Sequence, residues 1–495
     1  MKSRRVTLLL LLVILAGSLL RIYDLGAESI WYDEACSIYT SEQGIIQIIK
    51  DCVTWHRHPP LHFFMLHFWM LPFGTGEIAV RSLSAICGIL SIFIIYQIGC
   101  QLFNRKVGLI SSFLLAISPF HIHFSQEARS YSLLLLLTLL SFFLFIKVLR
   151  VDNANKSHFV YYAIANILLI YTHYFGLFIV TSQILYFILY WNKHREIRNN
   201  FLYAQLATGI AFLPWLPLFV GFSIPLSKGG SQPSVSSIIA TLKVYSGGQN
   251  FLLLTFFFLG LLGLFSIKGL SNKWSFEKPL QAVKQFSSKI SVERESILLL
   301  IWCAFLIVIP WLISQIPSRQ AVIYNTRRTI SALPAFYILV ANGISTFTRR
   351  KSLYPLFIAI LIMIAGFSYP GLQHYYTYYQ KAQWREAANF VELNSRVDSD
   401  VIIICKPWRK VPFNYYYKGN LPEFGIGKNV EDSQELTTFV DDAVRERARL
   451  WLILSHDARS APIHWYLLNR YGDQAILLEK EFYSIALILF DLPPP

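Results

Sequence analysis

The 495-residue chain is 54% hydrophobic, 16% aromatic and only 15% charged, with a formal net charge of +15. A soluble domain carries about a quarter charged residues, so composition argues against an ordinary soluble enzyme. The basic excess does not point to nucleic acid either, because Lys and Arg sit in short clusters at the ends of apolar runs, where they act as a membrane topology signal.

The chain opens on a basic head (Lys2, Arg4, Arg5), and apolar residues then run to position 20 without a small-x-small cleavage site. That pattern reads as an uncleaved first helix. Further apolar runs lie at about 79–99, 107–122, 130–149, 159–172, 175–190, 201–222, 251–268, 296–313, 329–346 and 352–369. With the first at 6–22 they make about eleven spans of roughly bilayer length. The run at 58–73 opens with Pro59-Pro60, holds three histidines and is short; it fits an interfacial or re-entrant helix. With the N-terminus inside, the inside connections hold twenty Lys and Arg and the outside ones eight, which sets the orientation. The longest inside connection is the basic stretch 268–294.

An odd number of spans leaves the tail outside. From about 371 the composition changes: 386–393, 433–447 and 462–470 pattern as helices, and 401–405, 450–454 and 484–490 as short apolar strands. The expected fold class is a polytopic α-helical membrane protein with a small C-terminal soluble α/β domain. Its domains are 1–370, with a first outer loop at 23–78 carrying interfacial helices, and an extracytoplasmic 371–495. Six cysteines in so long a chain are no disulfide framework. Cys87, Cys100 and Cys303 lie in apolar runs, whereas Cys36 and Cys52 share the first outer loop, where a disulfide stays open.

Polar groups at a membrane boundary cost free energy unless they work or pair, and four clusters recur on the outer face. Asp33 and Glu34 follow the first span; adjacent carboxylates can serve as a base or ligate a metal, although a solvated acidic loop explains the pair equally well. His56-Arg57-His58 opens the interfacial helix and suits phosphate, or simple snorkelling beside a Pro helix start. Next come His121, His123, Glu127, Arg129 and Tyr131. Two histidines do not make a metal site and are more often boundary residues, but Glu127 and Arg129 entering a helix are harder to dismiss. Arg327 and Arg328 oppose the charge bias and call for an anionic partner, either a protein carboxylate or a ligand phosphate.

The ordered set of motifs resembles one family. The motifs are Trp31-Tyr32-Asp33-Glu34-Ala35, His58-Pro59-Pro60-Leu61, Gly74-x-x-Glu77-x-x-x-Arg81-x-x-Ser84-Ala85, Leu102-Phe103-Asn104-Arg105, Ser118-Pro119-Phe120-His121, Ser125-Gln126-Glu127-Ala128-Arg129-Ser130-Tyr131, Arg328 six residues before Pro334, and Gln383-Trp384-Arg385-Glu386-Ala387-Ala388. They resemble the GT-C type membrane glycosyltransferases related to protein O-mannosyltransferases and aminoarabinose lipid A transferase. The resemblance implies transfer of one sugar, with inversion, from a polyprenyl phosphate to a lipid, glycan or protein acceptor on the outer face of the inner (plasma) membrane. It makes Asp33 the catalytic base with Glu34 beside it. Arg129, Arg327, Arg328, Arg81 and His58 become the donor-phosphate residues, and His121, His123, Glu127 and Tyr131 further active-face candidates. No cofactor is required, although Asp33, Glu34, His121 and His123 are ligand types for a divalent ion. Where many relatives have Arg-Tyr, this chain has Arg328-Thr329, so the choice between Arg327 and Arg328 stays open. Two rival classes remain: a transporter or flippase of lipid-linked substrates, and an enzyme that transfers whole oligosaccharides.

Overall fold

The structure is a computed structural model that describes residues 3–56, 58–150, 156–222, 232–267, 290–316, 322–427, 430, 433–455 and 461–493. Arg57 and most of the basic stretch 268–294 therefore lie outside the described residues. The chain divides into two compact units. The first takes in Met1–Tyr23, Gly44–Trp69 and Arg81–His374, the second Asp24–Gln43, Met70–Val80 and Tyr375–Pro495. The C-terminal domain expected from 371 thus begins near Tyr375 and takes two pieces of the first outer loop with it.

The first unit is a helical bundle. Among the described residues seven helices are long and apolar enough to cross a membrane: Arg4–Ile22, Glu77–Leu102, Tyr131–Arg150, Trp191–Val220, Arg294–Ser314, Arg328–Thr346 and Lys351–Thr377. Two bent pairs, Arg105–Ala116 with Pro119–Ser125 (64°) and Val235–Tyr245 with Asn250–Leu264 (90°), raise the number to nine if each is one span. The first bend has a local cause. Ser118 caps the second piece by accepting from His121 N–H, and Pro119 occupies its first turn, where the missing proline N–H costs nothing. The runs expected at 159–172 and 175–190 are helical too, as Lys156–Thr172 (17 residues) and Phe175–Leu189 (15 residues). Both fall short of the roughly 20 residues a straight span needs, so eleven apolar runs give seven to nine helices of spanning length. The run at 58–73 forms a helix only over Leu61–Phe73, 13 residues.

Inside the bundle the short helices are held by polar contacts as well as by packing. Gln183 donates to the Ser141 hydroxyl (2.8 Å), Ser141 to Asn166 Oδ1 (2.6 Å), Tyr162 to Gln183 Oε1 (2.7 Å) and Gln205 to the Tyr162 hydroxyl (2.9 Å). The chain of bonds joins four helices, and each interhelical bond of this kind is worth about 0.6 kcal/mol or somewhat more in a membrane. Trp302 stacks on Phe142 at 3.7 Å between ring centroids. Gly263 and Gly343 face each other where Asn250–Leu264 crosses Leu333–Thr346: a Cβ on Gly263 would meet the Leu339 carbonyl, and one on Gly343 the Leu259 carbonyl. Such backbone contact is open only to small residues. Outside this packing a two-stranded ribbon, β1 (Phe265–Ile267) and β2 (Ile290–Val292), is antiparallel.

The second unit carries a five-stranded sheet of β3 (Asp400–Cys405), β4 (Glu423–Ile426), β5 (Arg449–Ser455), β6 (Ile476–Phe482) and β7 (Ile485–Asp491), in the order β4-β3-β5-β7-β6. β3 pairs in parallel with β4 and β5, while β7 runs antiparallel to β5 and β6. Val401, Ile403, Leu450 and Leu452 pack on one face with the helices Ser433–Val444 and Pro462–Tyr471, and Ile402, Ile404, Trp451 and Ile453 on the other with Trp384–Asn394. Burial on both faces explains why these strands are apolar throughout. Asp400 is fully buried and takes two 2.7 Å bonds from Arg449 and one of 3.0 Å from Trp451 Nε1. All six cysteines are free thiols.

Candidate active site

In the first unit a cluster of histidines and two arginines gathers around the end of the 119–131 segment. The serine-rich motif there divides its work. Arg21 Nη2 donates to His121 Nδ1 at 2.7 Å, and Arg21 also holds the Leu115 and Ala116 carbonyls. Gln126 Nε2 caps the end of the first helix at the Arg21 and Tyr23 carbonyls (3.1 and 2.7 Å). His123 Nε2 meets Glu127 Oε1 at 3.1 Å. His121 is therefore engaged by Arg21, and His123 by Glu127, rather than by each other. Arg129 follows, its backbone pinned by Ser84, whose hydroxyl donates to the Arg129 carbonyl (3.4 Å), and by its own N–H to Glu127 O (2.8 Å). Arg81, three residues before Ser84, is fully buried.

Arg129 and Arg328 act on the same imidazoles. His58 and His173 lie 5.4 Å apart between ring centroids, with Tyr131 6.3 Å from His173. Burial first, then the Arg129 charge, pushes His56 down to about 4. Burial, then the charges of Arg328 and Arg129, pushes His173 down to about 3, and burial with His173, Arg129 and Arg328 holds His58 well below the ordinary histidine range. All three are neutral near pH 7 and present N–H donors. His62 hydrogen-bonds the Ala128 backbone beside them.

The position of Arg328 is built by its own segment. Ser314 Oγ accepts from Ile323 and Tyr324 N–H (3.0 and 2.9 Å), and Tyr324 meets the Thr241 hydroxyl at 2.6 Å. Arg328 then donates to the Ile323 carbonyl (3.2 Å) and comes within electrostatic range of the Tyr131 phenol. The charge of the neighbouring Arg327 is felt at Arg328.

In the second unit Asp33 and Glu34 begin the helix Tyr32–Ser41. Glu34 is the third helical residue and accepts from Trp31 N–H in a capping box (3.5 Å). It is fully buried, and the equally buried Lys381 ammonium lies 3.3 Å from its Oε2. Asp33 is half-buried in the same turn. Arg409, from the turn after β3, stands over the Tyr32 ring at 5.0 Å and acts electrostatically on Asp33. Lys406, which opens that turn, has a left-handed φ of 68°. Such strain at a non-glycine residue tends to mark functional turns, and here it swings the chain from β3 into the Arg409 turn. The motif residues Glu77, Arg385 and Glu386 build the unit's frame. Glu77 takes bonds from Tyr416 (2.6 Å) and Arg385 (2.9 Å), and Glu386 takes one from Ser29 (2.8 Å).

Sequence reasoning did not single out His173, Lys381 or Arg409. Each lies far along the chain from its partner, and none is flagged by local pattern. Among the described residues no three His, Cys, Asp or Glu side chains converge as a metal site requires.

Residues 57–218 match the family described as dolichyl-phosphate-mannose-protein mannosyltransferase. The apo structure of ArnT from Cupriavidus metallidurans superposes with a TM-score of 0.61 at 14% identity, covering 97% of each chain. The chain therefore shares the ArnT fold. The ArnT structure bound to undecaprenyl phosphate matches at 0.58 and 12% identity over 99% of this chain and 98% of that one. The apo oligosaccharyltransferase of Archaeoglobus fulgidus matches at 0.61 and 12% over 92% and 70%. No curated protein matches by sequence.

Proposed function

We propose that this protein is a GT-C glycosyltransferase that transfers one sugar from a polyprenyl-phosphate donor to an acceptor hydroxyl on the extracytoplasmic face of the inner membrane, with inversion. Asp33 takes the hydroxyl proton as the acceptor oxygen bonds to the anomeric carbon. The bond from that carbon to the phosphate oxygen breaks, and the lipid phosphate leaves with the electron pair. A positioned base contributes about 10²- to 10⁴-fold. Arg129 and Arg328 offset the charge growing on the leaving phosphate, and the neutral imidazoles of His58 and His173 add donors without repelling a second cation.

The observation that carries this reading is that gathering of two arginines and neutral histidines, which is chemistry for a phosphate. Support for Asp33 over Glu34 comes from burial: Glu34 is committed to Lys381 and the helix cap, whereas Asp33 is half-exposed. Extracytoplasmic sidedness rests on the charge bias of the connecting loops. The fold likeness to an oligosaccharyltransferase favours a second reading, transfer of a whole oligosaccharide. Purified protein given radiolabelled polyprenyl-phosphate monosaccharide and a membrane extract as acceptor separates the two. Label transferred from the monosaccharide donor, and lost with Arg129→Gln/Arg328→Gln, supports the proposal. Transfer only from an oligosaccharide donor overturns it.

A further inference from the structure

A cavity of about 390 Å³ opens at the end of the first unit remote from Arg328. It is lined by Val6 of the first helix, by Asn104, Arg105 and Lys106 at the start of Arg105–Ala116, and by Ser345, Thr348 and Arg349 at the end of Leu333–Thr346. Arg328 opens the turn and helix that Thr348 follows, so about twenty helical residues, or roughly 30 Å, separate the two places.

Three features suit this cavity to a phosphate. It has three cations in its lining and no carboxylate. Among the described residues none of the three makes an ion pair; Lys106 Nζ meets only the neutral Thr348 hydroxyl, at 3.0 Å. Ser345, Thr348 and Asn104 add polar groups around them. The helix terminus itself contributes little, because Asn104 Oδ1 already accepts from the Lys106 and Val107 N–H groups. A fourth feature favours a lipid over a free ion. The cavity lies at the ends of two helices of spanning length, Arg4–Ile22 and Arg328–Thr346, within reach of the headgroup of a bilayer lipid. Basic pockets between transmembrane helices on the cytoplasmic side hold anionic headgroups in this way.

We infer that this cavity binds the phosphate headgroup of an anionic glycerophospholipid of the cytoplasmic leaflet, as a site separate from that of the sugar donor. The inference does not depend on the proposed reaction, since it concerns retention of a lipid and not turnover. The test is lipid retention by the full chain in nanodiscs of phosphatidylcholine with a minor fraction of phosphatidylglycerol, read by native mass spectrometry. One phosphatidylglycerol per chain is expected to survive delipidation. Lys106→Gln/Arg349→Gln should weaken its retention at least tenfold, whereas Arg350→Gln/Lys351→Gln, which removes the same charge from neighbours outside the lining, should change it less than twofold. Soluble glycerophosphate should not displace it; displacement at millimolar concentration would show a free-phosphate site and overturn the lipid assignment. Equal losses in the two double variants would reduce the site to diffuse surface charge. Should the lining variant fail to accumulate, Lys106→Gln alone decides, with a loss of about threefold expected and no loss contradicting the site.

Discussion

Lys381→Met probes the division of labour between the two adjacent carboxylates. Glu34 and Lys381 are 0% and 4% exposed and 3.3 Å apart. At an effective dielectric constant of about 20, charges at that separation attract by about 5 kcal/mol. Removing one partner of a buried pair typically destabilises by about 3–5 kcal/mol, because the other charge is left uncompensated. Lys381→Met keeps the length of the side chain and removes the charge, so unfolding free energy should fall by that amount and Tm by about 10 °C. Glu34→Gln/Lys381→Met should recover most of the loss, since a neutral pair of similar volume carries no stranded charge and Gln still completes the capping box. Thermal unfolding of the four proteins closes the cycle. A Lys381→Met protein within about 1 kcal/mol of wild type would refute the reasoning: Glu34 would then not be a locked, charged structural group and would return as a rival base.

Three further outcomes follow from the same geometry. Arg129→Gln/Arg328→Gln should weaken donor binding or turnover at least tenfold, since a charge-assisted contact is worth about 1.5–3 kcal/mol; donor titration measures the change. His56 and His173, pushed down to about 4 and 3, take up protons more readily unfolded, near pH 6.5, than folded. Stability should therefore be constant above about pH 7.5 and fall as pH drops below 6.5, by about 2 kcal/mol per histidine at pH 5, and His173→Gln should flatten the fall in a chemical denaturation series. Gly343→Leu should destabilise the bundle by several kcal/mol through the clash with the Leu259 carbonyl, seen as loss of monodisperse protein in detergent.

The parts that were legible in the sequence are those that depend on local composition. The apolar runs reappear as helices, although those at 159–172 and 175–190 are shorter than a straight span, and so do the short helix after Pro59-Pro60 and the strands at 401–405, 450–454 and 484–490, where burial on both faces forces a continuous apolar pattern. β4 and β6 escaped, for an edge strand such as Glu423–Ile426 is half-exposed, and Ile476–Phe482 mixes Glu and Lys with its apolar residues. The bend at Ser118-Pro119 was written in the sequence but hidden within an apolar run. Motif residues were visible as a set, but their roles were not. Glu34 and Asp33 look alike until Lys381, nearly 350 residues later, is seen to occupy one of them. Likewise His121 and His123 look like a pair until Arg21 and Glu127 are seen to claim them separately.

Single-turnover sugar transfer by purified Asp33→Asn protein tests the central claim most directly. Asn keeps the size and one acceptor oxygen of the side chain but cannot take the proton. Asp33 is only half-buried, so folding should be preserved, and donor affinity should stay within about twofold of wild type. The account predicts that transfer then falls by about 10²-fold or more, while Glu34→Gln, corrected for its folded fraction, falls far less. A near-normal transfer rate for Asp33→Asn, with donor fully bound, would contradict it.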